Sequence, residues 1–182
     1  HRNTMIWFCS DNGPEGNESA PGKTGGFRGR KRSLYEGGVR VPALLEWPEK
    51  ITKNDTITCP AGTIDYLPTI LSLLDIQLPD QRPIDGINLI PIITKKGKSR
   101  GKAIGFQSNS VASLITDRYK IILKKKNNTV ELYDILNDPF EKNDIALSMV
   151  DKASELKAEL NEWIASCSES DQGKDYPKIT GQ

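Results

Sequence analysis

The sequence predicts an α/β protein in which a strand and a long loop precede a small antiparallel sheet and a C-terminal helix. Residues 4–9 form a run that is apolar almost throughout, which is typical of a buried strand. Four short strand patterns follow one another closely between residues 103 and 134. A helical apolar stripe then spans residues 148–167.

The pattern of elements changes near residue 101, and this change predicts two structural units. The chain has 182 residues, which is long enough to bury a core. We expect residues 1–101 to form part of an α/β domain and residues 102–170 to form a small α+β subdomain. Residues 171–182 are rich in polar residues, so we expect a flexible tail.

Residues 4–9, Thr-Met-Ile-Trp-Phe-Cys, predict a strand that is covered on both faces in a mainly parallel sheet. Ligands of such sheets gather beyond the carboxyl ends of the strands, where Asp11 and Asn12 lie. Carboxylate and amide oxygens suit Ca²⁺ or Mg²⁺ better than zinc. The alternative is that Asp-Asn-Gly forms only a tight turn, because Asn and Gly tolerate positive φ.

The loop that follows is strongly basic, although the whole chain has a net charge of only +1. Between residues 23 and 40 there is one acidic residue, Glu36. The basic residues are Lys23, Arg28, Arg30, Lys31, Arg32 and Arg40. This surplus requires an anionic partner or a solvated face. Basic runs also occur in nucleic-acid patches and targeting signals, but no aromatic interleaving or basic helix accompanies this one, so we expect no nucleic-acid partner.

A second strand is predicted for residues 41–47 and a helix for residues 63–75, with Thr63 as its N-cap and Asp65 in its first turn. Apolar residues three and four apart predict one buried face of this helix. They are Ile64, Leu67, Ile70, Leu71 and Leu74. Residues 77–101 predict an irregular crossing, in which residues 95–100 form a solvated loop.

The C-terminal part predicts an antiparallel sheet, because its strand patterns are separated only by short turns. The predicted strands are residues 103–107, 111–116, 119–124 and 130–134. A helix follows over residues 148–167, with a capping pattern formed by Ser148 and Asp151. Its stripe should lie across one face of the sheet. The stripe consists of Ala153, Leu156, Leu160, Trp163, Ile164 and Cys167.

Two absences in the sequence argue against a disulfide-stabilised protein and against a membrane-spanning segment. Three cysteines are too few and too far apart for a disulfide scaffold. No apolar stretch approaches the roughly 18 residues of a membrane span. The only histidine, His1, is better interpreted as a remnant of cloning or excision than as a catalytic base.

Several motifs in this order resemble the C-terminal part of a type I sulfatase, an arylsulfatase-like member of the alkaline phosphatase superfamily. The first are Ser-Asp-Asn-Gly at residues 10–13, Phe-Arg-Gly-Arg-Lys-Arg-Ser-Leu-Tyr-Glu-Gly-Gly-Val-Arg-Val-Pro at 27–42 and Trp-Pro at 47–48. The middle pair is Ile-Asp-Tyr-Leu-Pro-Thr-Ile at 64–70 and Asp-Gly-Ile-Asn-Leu at 85–89. The last pair is Glu-Leu-Tyr-Asp at 131–134 and Asp-Pro-Phe-Glu-Lys-Asn at 138–143.

The resemblance implies a role for each matching residue. Asp11 and Asn12 would supply two ligands to a Ca²⁺ ion that holds the sulfate ester. Lys31, four residues before the tyrosine of Tyr-Glu-Gly-Gly, would be the catalytic and substrate-binding lysine that contacts a sulfuryl oxygen. The remaining residues would shape the loop, with Glu36 and Arg40 as a structural pair. These loop-shaping residues are Tyr35, Glu36, Gly37, Gly38 and Arg40.

The resemblance also implies parts that the sequence does not contain. The nucleophile of the family is a formylglycine made from Cys/Ser-x-Pro/Ala-x-Arg, and Cys-Pro-Ala-Gly-Thr at residues 59–63 ends in Thr where Arg is needed. The other metal ligands and the catalytic histidines would lie upstream. We therefore expect a fragment that is inactive alone and binds Ca²⁺ weakly or not at all, with the remainder of the same polypeptide as its partner.

The implied activity of the full-length protein is hydrolysis of sulfuric esters, with a sulfated carbohydrate or an aryl sulfate as substrate. The family further implies an exported, periplasmic or extracellular, or a lysosomal location. Three alternatives stay open. One is a phosphodiester or phosphonate hydrolase of the same superfamily, and the second is a non-catalytic module that binds a sulfated glycan. The third is a nucleic-acid binder, which would show a steep salt dependence with DNA or RNA.

Overall fold

The computed structural model describes residues 2–17, 19–79, 82–94 and 97–175, so the expectations for His1 and residues 176–182 lie outside it. The described residues form two antiparallel sheets and four α-helices. The strands are β1 (Ile6–Cys9), β2 (Ala43–Glu46), β3 (Ile104–Gln107), β4 (Val111–Ile115), β5 (Tyr119–Lys124) and β6 (Thr129–Asp134). The helices are α1 (Glu36–Val39), α2 (Tyr66–Leu74), α3 (Ile90–Ile93) and α4 (Val150–Asp171), and a 3₁₀ turn (Thr63–Asp65) precedes α2.

The first sheet is a two-stranded antiparallel ribbon in which Ile6 pairs with Glu46 and Cys9 pairs with Ala43. Both predicted strands exist, but the expected parallel neighbours and two covered faces are not found among the described residues. The side chains of Ile6 and Phe8 are 55% and 62% exposed. Apolar composition indicates that a strand has to be covered, but it does not indicate which element covers it.

Helix α2 was predicted correctly, but its orientation was not. Its apolar stripe faces outward, with Leu67 and Leu74 52% and 62% exposed, whereas Asp65 and Thr69 are fully buried. The polar face packs inward because backbone groups of the crossing bind to it. Thr69 Oγ1 accepts the N–H of Leu89 at 3.0 Å. Thr63 is not the N-cap, since Gly62 occupies that position.

The crossing is fixed to α2 by a buried ion pair. The Arg100 guanidinium donates to both carboxylate oxygens of Asp65, at 2.7 and 2.8 Å. Asp65 also accepts the N–H groups of Gly62 and Ile87, each at 2.8 Å. The expectation of a solvated loop is therefore wrong at Arg100. A buried charge is tolerated here because a bidentate, fully hydrogen-bonded partner compensates its lost hydration.

The second sheet has the strand order β3-β4-β5-β6, entirely antiparallel, and α4 lies across it as predicted. Its buried core consists of Ala112, Leu114, Ile121, Leu123, Leu132, Ala146, Ala153, Leu156 and Leu160. Trp163 packs on Gly105, where any Cβ would overlap the indole. The predicted cap is wrong, because Ser148 Oγ donates to the carbonyl of Ile145 (3.0 Å) and α4 begins without a side-chain cap.

None of the helices in the described parts of the chain is both long and apolar enough to cross a lipid bilayer.

Candidate functional site

The candidate site begins where β1 ends. Asp11 is exposed and Asn12 is half-buried, directly beyond the strand. The N–H of Ser10 donates to the carbonyl of Pro42 (3.2 Å), which extends the pairing with the chain that leads into β2. Ser10 Oγ also lies 3.2 Å from the carbonyl oxygen of Asn12. The chain therefore leaves the ribbon in a hydrogen-bonded turn, and Asp11 and Asn12 lie in this turn beyond the end of β1.

Two backbone hydrogen bonds attach this turn to the basic loop. The N–H of Gly13 donates to the carbonyl of Gly38 (2.9 Å), and the N–H of Lys31 donates to the carbonyl of Pro14 (3.1 Å). A side chain at Gly13 would overlap the carbonyl oxygen of Gly37, so only glycine permits this approach. The structure thus brings Lys31 beside the segment that carries Asp11 and Asn12.

Helix α1 is the point to which the loop is fastened, and the sequence patterns did not predict it. The N–H of Gly37 donates to the carbonyl of Arg28 at 2.7 Å. A Cβ at Gly37 would overlap the carbonyl oxygen of Gly29, and one at Gly38 would overlap that of Ser33. Close backbone packing, rather than positive φ, is therefore the reason for the two adjacent glycines.

Part of the basic surplus is compensated inside the chain by Glu15, which the sequence analysis overlooked. Lys31 Nζ lies 3.5 Å from Glu15 Oε2, and Arg32 also pairs with this carboxylate. The hydrogen bond from Arg32 and that from the Gly16 N–H lower the pKa of Glu15. Since exposed pairs contribute little energy, Lys31, 37% exposed, can exchange this partner for an anionic ligand.

Arg28 connects the loop to the second sheet. Its Nη1 donates to Tyr133 Oη at 2.8 Å, and its guanidinium carbon lies 3.9 Å from the centre of the Tyr35 ring. Tyr35 and Tyr133 each donate to Glu131 Oε2, at 2.6 and 3.0 Å. Burial, together with the bond to Glu131, raises the pKa of Tyr35 to about 12. The ring hydroxyls therefore stay protonated donors at neutral pH.

A cluster of buried charges lies behind α1. Lys120 Nζ is 2.9 Å from Glu36 Oε1 and 2.9 Å from Glu141 Oε1. Arg40 Nη1 lies 3.5 Å from the other oxygen of Glu36. Sequence reasoning proposed the pair of Glu36 and Arg40 but missed Lys120 and Glu141. Glu141 could have been found from the sequence, because it is the glutamate of the motif at residues 138–143.

The described residues do not form a complete metal site. They contain no cluster of three or more His, Cys, Asp or Glu side chains arranged to hold a metal ion. Asp11 and Asn12 offer oxygen donors of the type that Ca²⁺ prefers, out of the six to eight oxygens that this ion usually takes. Their chemistry therefore fits Ca²⁺, and further ligands are required.

A comparison with known protein families identifies the family of this chain. Residues 24–170 match the family described as N-sulphoglucosamine sulphohydrolase, C-terminal. The chain belongs to the sulfatase family. The matched range includes Lys31, α1, the second sheet and nearly all of α4, whereas Asp11 and Asn12 precede it.

Known sulfatases resemble this chain over much of its length. Arylsulfatase G of Rattus norvegicus is 33% identical over 137 residues, covering 65% of this chain and 26% of that protein. Arylsulfatase A of Bos taurus is 39% identical over 106 residues, covering 58% of this chain and 20% of that protein. Steryl-sulfatase of Mus musculus is 38% identical over 98 residues, or 50% of this chain and 16% of that protein.

Solved structures share its fold. The protein Ps i-CgsB, which has also been solved in complex with k-i-k-neocarrahexaose, superposes with a TM-score of 0.77 at 27% identity. That match covers 89% of this chain and 36% of Ps i-CgsB. A 6S sulfatase from a Bacteroides thetaiotaomicron locus for glycosaminoglycan metabolism has a TM-score of 0.72 at 26% identity. That match covers 90% of this chain and 39% of the 6S sulfatase. This chain therefore spans well under half the length of its relatives.

Proposed function

We propose that the complete polypeptide that carries this chain is a sulfatase that hydrolyses the sulfate monoester of a carbohydrate or an aryl alcohol. The observation that carries the proposal is the pair of backbone hydrogen bonds that places Lys31 beside the segment of Asp11 and Asn12. Family membership supports the reaction type. The loop-shaping residues would keep the lysine and the two oxygen donors in a fixed arrangement.

Lys31 is the residue of this chain that would act on the reacting group. Negative charge on the sulfuryl oxygens has to be neutralised in the transition state, and a preorganised ammonium does this without reorganising at the moment of reaction. A unit charge about 4 Å from another contributes roughly 4 kcal/mol at an effective dielectric constant near 20. Lys31 could therefore account for about two to three decades of rate.

Asp11 and Asn12 would hold Ca²⁺, with the remaining ligands supplied by other parts of the polypeptide. Bound there, the ion would polarise the sulfuryl oxygens of the ester. The formylglycine nucleophile would also come from outside this chain. We therefore expect the isolated chain to lack sulfatase activity, because positioned charges cannot attack an ester.

The remainder of the same polypeptide is the partner that we propose for the exposed apolar surfaces. Ile6, Phe8 and Leu44 on the first ribbon are 55%, 62% and 70% exposed, which is unusual for a group of neighbouring apolar side chains. The relatives are several times longer than this chain and support a larger domain that covers these surfaces. An exported or lysosomal location is part of the proposal.

The test is the substitution of Lys31 in the complete enzyme. Lys31→Ala should lower kcat/KM for a sulfate ester by about two to three orders of magnitude, as expected when one charge partner of a developing oxyanion is removed. p-Nitrophenyl sulfate and a sulfated carrageenan oligosaccharide are suitable substrates, the second because Ps i-CgsB has been solved with k-i-k-neocarrahexaose. Steady-state rates on both substrates provide the measurement.

Arg30→Ala and Arg32→Ala are the matched controls, since both residues flank Lys31 in the loop. They should cost much less, and Lys31→Arg should restore little, because a planar guanidinium cannot replace a compact ammonium. Equal losses at all three positions would indicate diffuse attraction and contradict the proposal. Faster turnover of a phosphodiester than of any sulfate ester would instead favour a phosphodiesterase.

A further inference from the structure

A buried charge cluster couples the candidate site to the second sheet. It consists of Glu36 on α1, Lys120 on β5 and Glu141 in the segment after β6, and none of these side chains is more than 5% exposed. One ammonium lies 2.9 Å from each of two carboxylates. Breaking such a cluster leaves an uncompensated buried charge, so its members hold one another in place.

Glu141 does more than balance the charge of Lys120. Its Oε2 accepts the N–H of Glu36, the first residue of α1, at 2.6 Å. The first amides of a helix have no partner within the helix, and a carboxylate satisfies them with a strong, charge-assisted bond. Glu141 adopts φ of 55°, a left-handed conformation that is uncommon for a residue other than glycine. This strained backbone directs a buried carboxylate at the start of α1.

Any shift of α1 would be transmitted to Lys31. The carbonyls of Arg28 and Arg30, which precede Lys31 in the basic loop, lie so close to Gly37 and Gly38 of α1 that neither glycine could carry a Cβ. The carbonyl of Gly38 in turn accepts the backbone N–H of Gly13. The next residue, Pro14, accepts the backbone N–H of Lys31. The lysine and α1 are therefore linked by short backbone contacts rather than by flexible side chains.

We propose that Glu141 and Lys120 are positioning residues of the sulfatase site, which hold α1 so that Lys31 keeps its place. The proposal rests on the proposed function, because it assigns these two residues to the same site. Both side chains are fully buried, so the role that we assign to them is exerted through α1 and not by contact with the substrate. The second sheet and the segment after it thus contribute to the reaction through the geometry of the loop.

The first test compares two carboxylates of the same segment in the complete enzyme. Glu141→Gln removes the charge that pairs with Lys120. Asp144→Asn is its matched control, because Asp144 Oδ1 accepts the N–H groups of Leu132 and Ala146, at 3.0 and 2.9 Å, within the subdomain. A misplacement of about 1 Å can cost a hundredfold in rate, so we expect Glu141→Gln to lower kcat/KM by about tenfold to a hundredfold. Asp144→Asn should stay within about twofold of wild type.

A double-mutant cycle separates positioning from general damage. If Glu141 acts through Lys31, then Glu141→Gln should cost about threefold or less in a Lys31→Ala background, because the group that it positions is already absent. Losses that multiply fully in the double variant would overturn the proposal. Absence of sulfatase activity in the wild-type enzyme, or full activity of Lys31→Ala, would instead refute the proposed function.

A second readout does not depend on activity. Amide hydrogen exchange of residues 28–40 should become faster in Glu141→Gln than in Asp144→Asn, at conditions where the two variants have the same free energy of unfolding. Lys120→Met should produce the same local increase. Unchanged exchange of this loop in both Glu141→Gln and Lys120→Met would overturn the positioning role.

Discussion

The loop region, residues 2–48, and the sheet region, residues 103–171, are built on opposite principles. The sheet region buries hydrocarbon, and Leu132, Ile121 and Leu160 are completely inaccessible to solvent. In the described part of the loop region no hydrophobic side chain is buried, and the buried residues are Gly13, Glu36, Gly37 and Gly38.

This contrast assigns different tasks to the two regions. Hydrophobic burial is strong but not directional, so the apolar core of the sheet region supplies stability without fixing the positions of polar atoms. Hydrogen bonds and glycine contacts are weak in net energy but strict in geometry, so the loop region specifies where Lys31, Asp11 and Asn12 lie. The candidate site therefore lies in a region whose described residues bury no hydrophobic side chain, and it depends on the sheet region for support.

The largest expected effect on folding comes from producing the two regions as separate proteins. A protein of residues 102–170 should unfold cooperatively, because its apolar helix stripe covers its own sheet. Residues 1–60 alone should show no cooperative transition and should aggregate through the exposed ribbon. Urea unfolding followed by circular dichroism checks both. A non-cooperative transition for residues 102–170 would show that the sheet region needs the loop to fold.

The next effect concerns the buried charge of Glu36, on which the loop region relies. Lys120→Met should lower the free energy of unfolding of the chain by about 3–5 kcal/mol at neutral pH, because buried Glu141 loses the ammonium beside it and Glu36 keeps only the more distant Arg40. Burial already raises the pKa of Glu141 above its ordinary value of 4.5, and loss of the ammonium raises it further.

The sign of the pH dependence follows from that shift. A carboxyl whose pKa is raised in the folded state carries no penalty below its unfolded pKa and loses stability as the pH rises through its folded pKa. The deficit of Lys120→Met should therefore be larger at pH 8 than at pH 5. Urea midpoints of variant and wild type at both values measure it. A deficit that is larger at pH 5 would contradict this account.

A smaller effect sharpens the contrast within the sheet region. Leu132→Ala should cost about 2–5 kcal/mol of unfolding free energy, since Leu132 is fully buried in the core. Leu136→Ala is the matched control, because Leu136 is 58% exposed and should change stability by less than about 0.5 kcal/mol. Equal losses at the two positions would mean that the core does not supply the stability of this region.

The smallest effect tests the contact between the regions. Glu131→Gln removes the charged acceptor of Tyr35 and Tyr133 and should cost about 1–2 kcal/mol at pH 7. Burial alone would raise the pKa of Glu131, but hydrogen bonds from Lys124, Tyr35 and Tyr133 outweigh it and lower the pKa.

For a lowered carboxyl pKa, the stabilisation is present above the unfolded value and is lost as the pH falls through the folded value. The difference between Glu131→Gln and wild type should accordingly shrink below pH 4.5, the ordinary value of this group. Thermal unfolding between pH 3 and 7 follows the change. A difference that grows on acidification would show that Glu131 is not a stabilising anion.

The sequence by itself determined most of the secondary structure and the antiparallel character of the second sheet, and the resemblance of its motifs indicated the sulfatase family, whereas the short helices α1 and α3 were not predicted. Short spacing between apolar alternations predicted strands β3 to β6 within about one residue of their observed ends, and period 3.6 predicted the face of α4 that packs on them. These features depend on neighbours in the sequence. The motif at residues 10–13 and Lys31 were likewise recognisable without coordinates.

Only the tertiary structure decided which polar groups are buried and with which partners. Asp65 and Arg100 are 35 residues apart, and Glu36 and Lys120 are 84 apart, so no local pattern indicates that they meet. The same limit explains why α2 was expected to bury its leucines, whereas Thr69 of α2 and Asp65 of the preceding 3₁₀ turn are the residues that are buried. Charge pairing is specific in space but leaves no periodic mark in sequence, whereas hydrophobic burial repeats with every turn of a helix and every second residue of a strand.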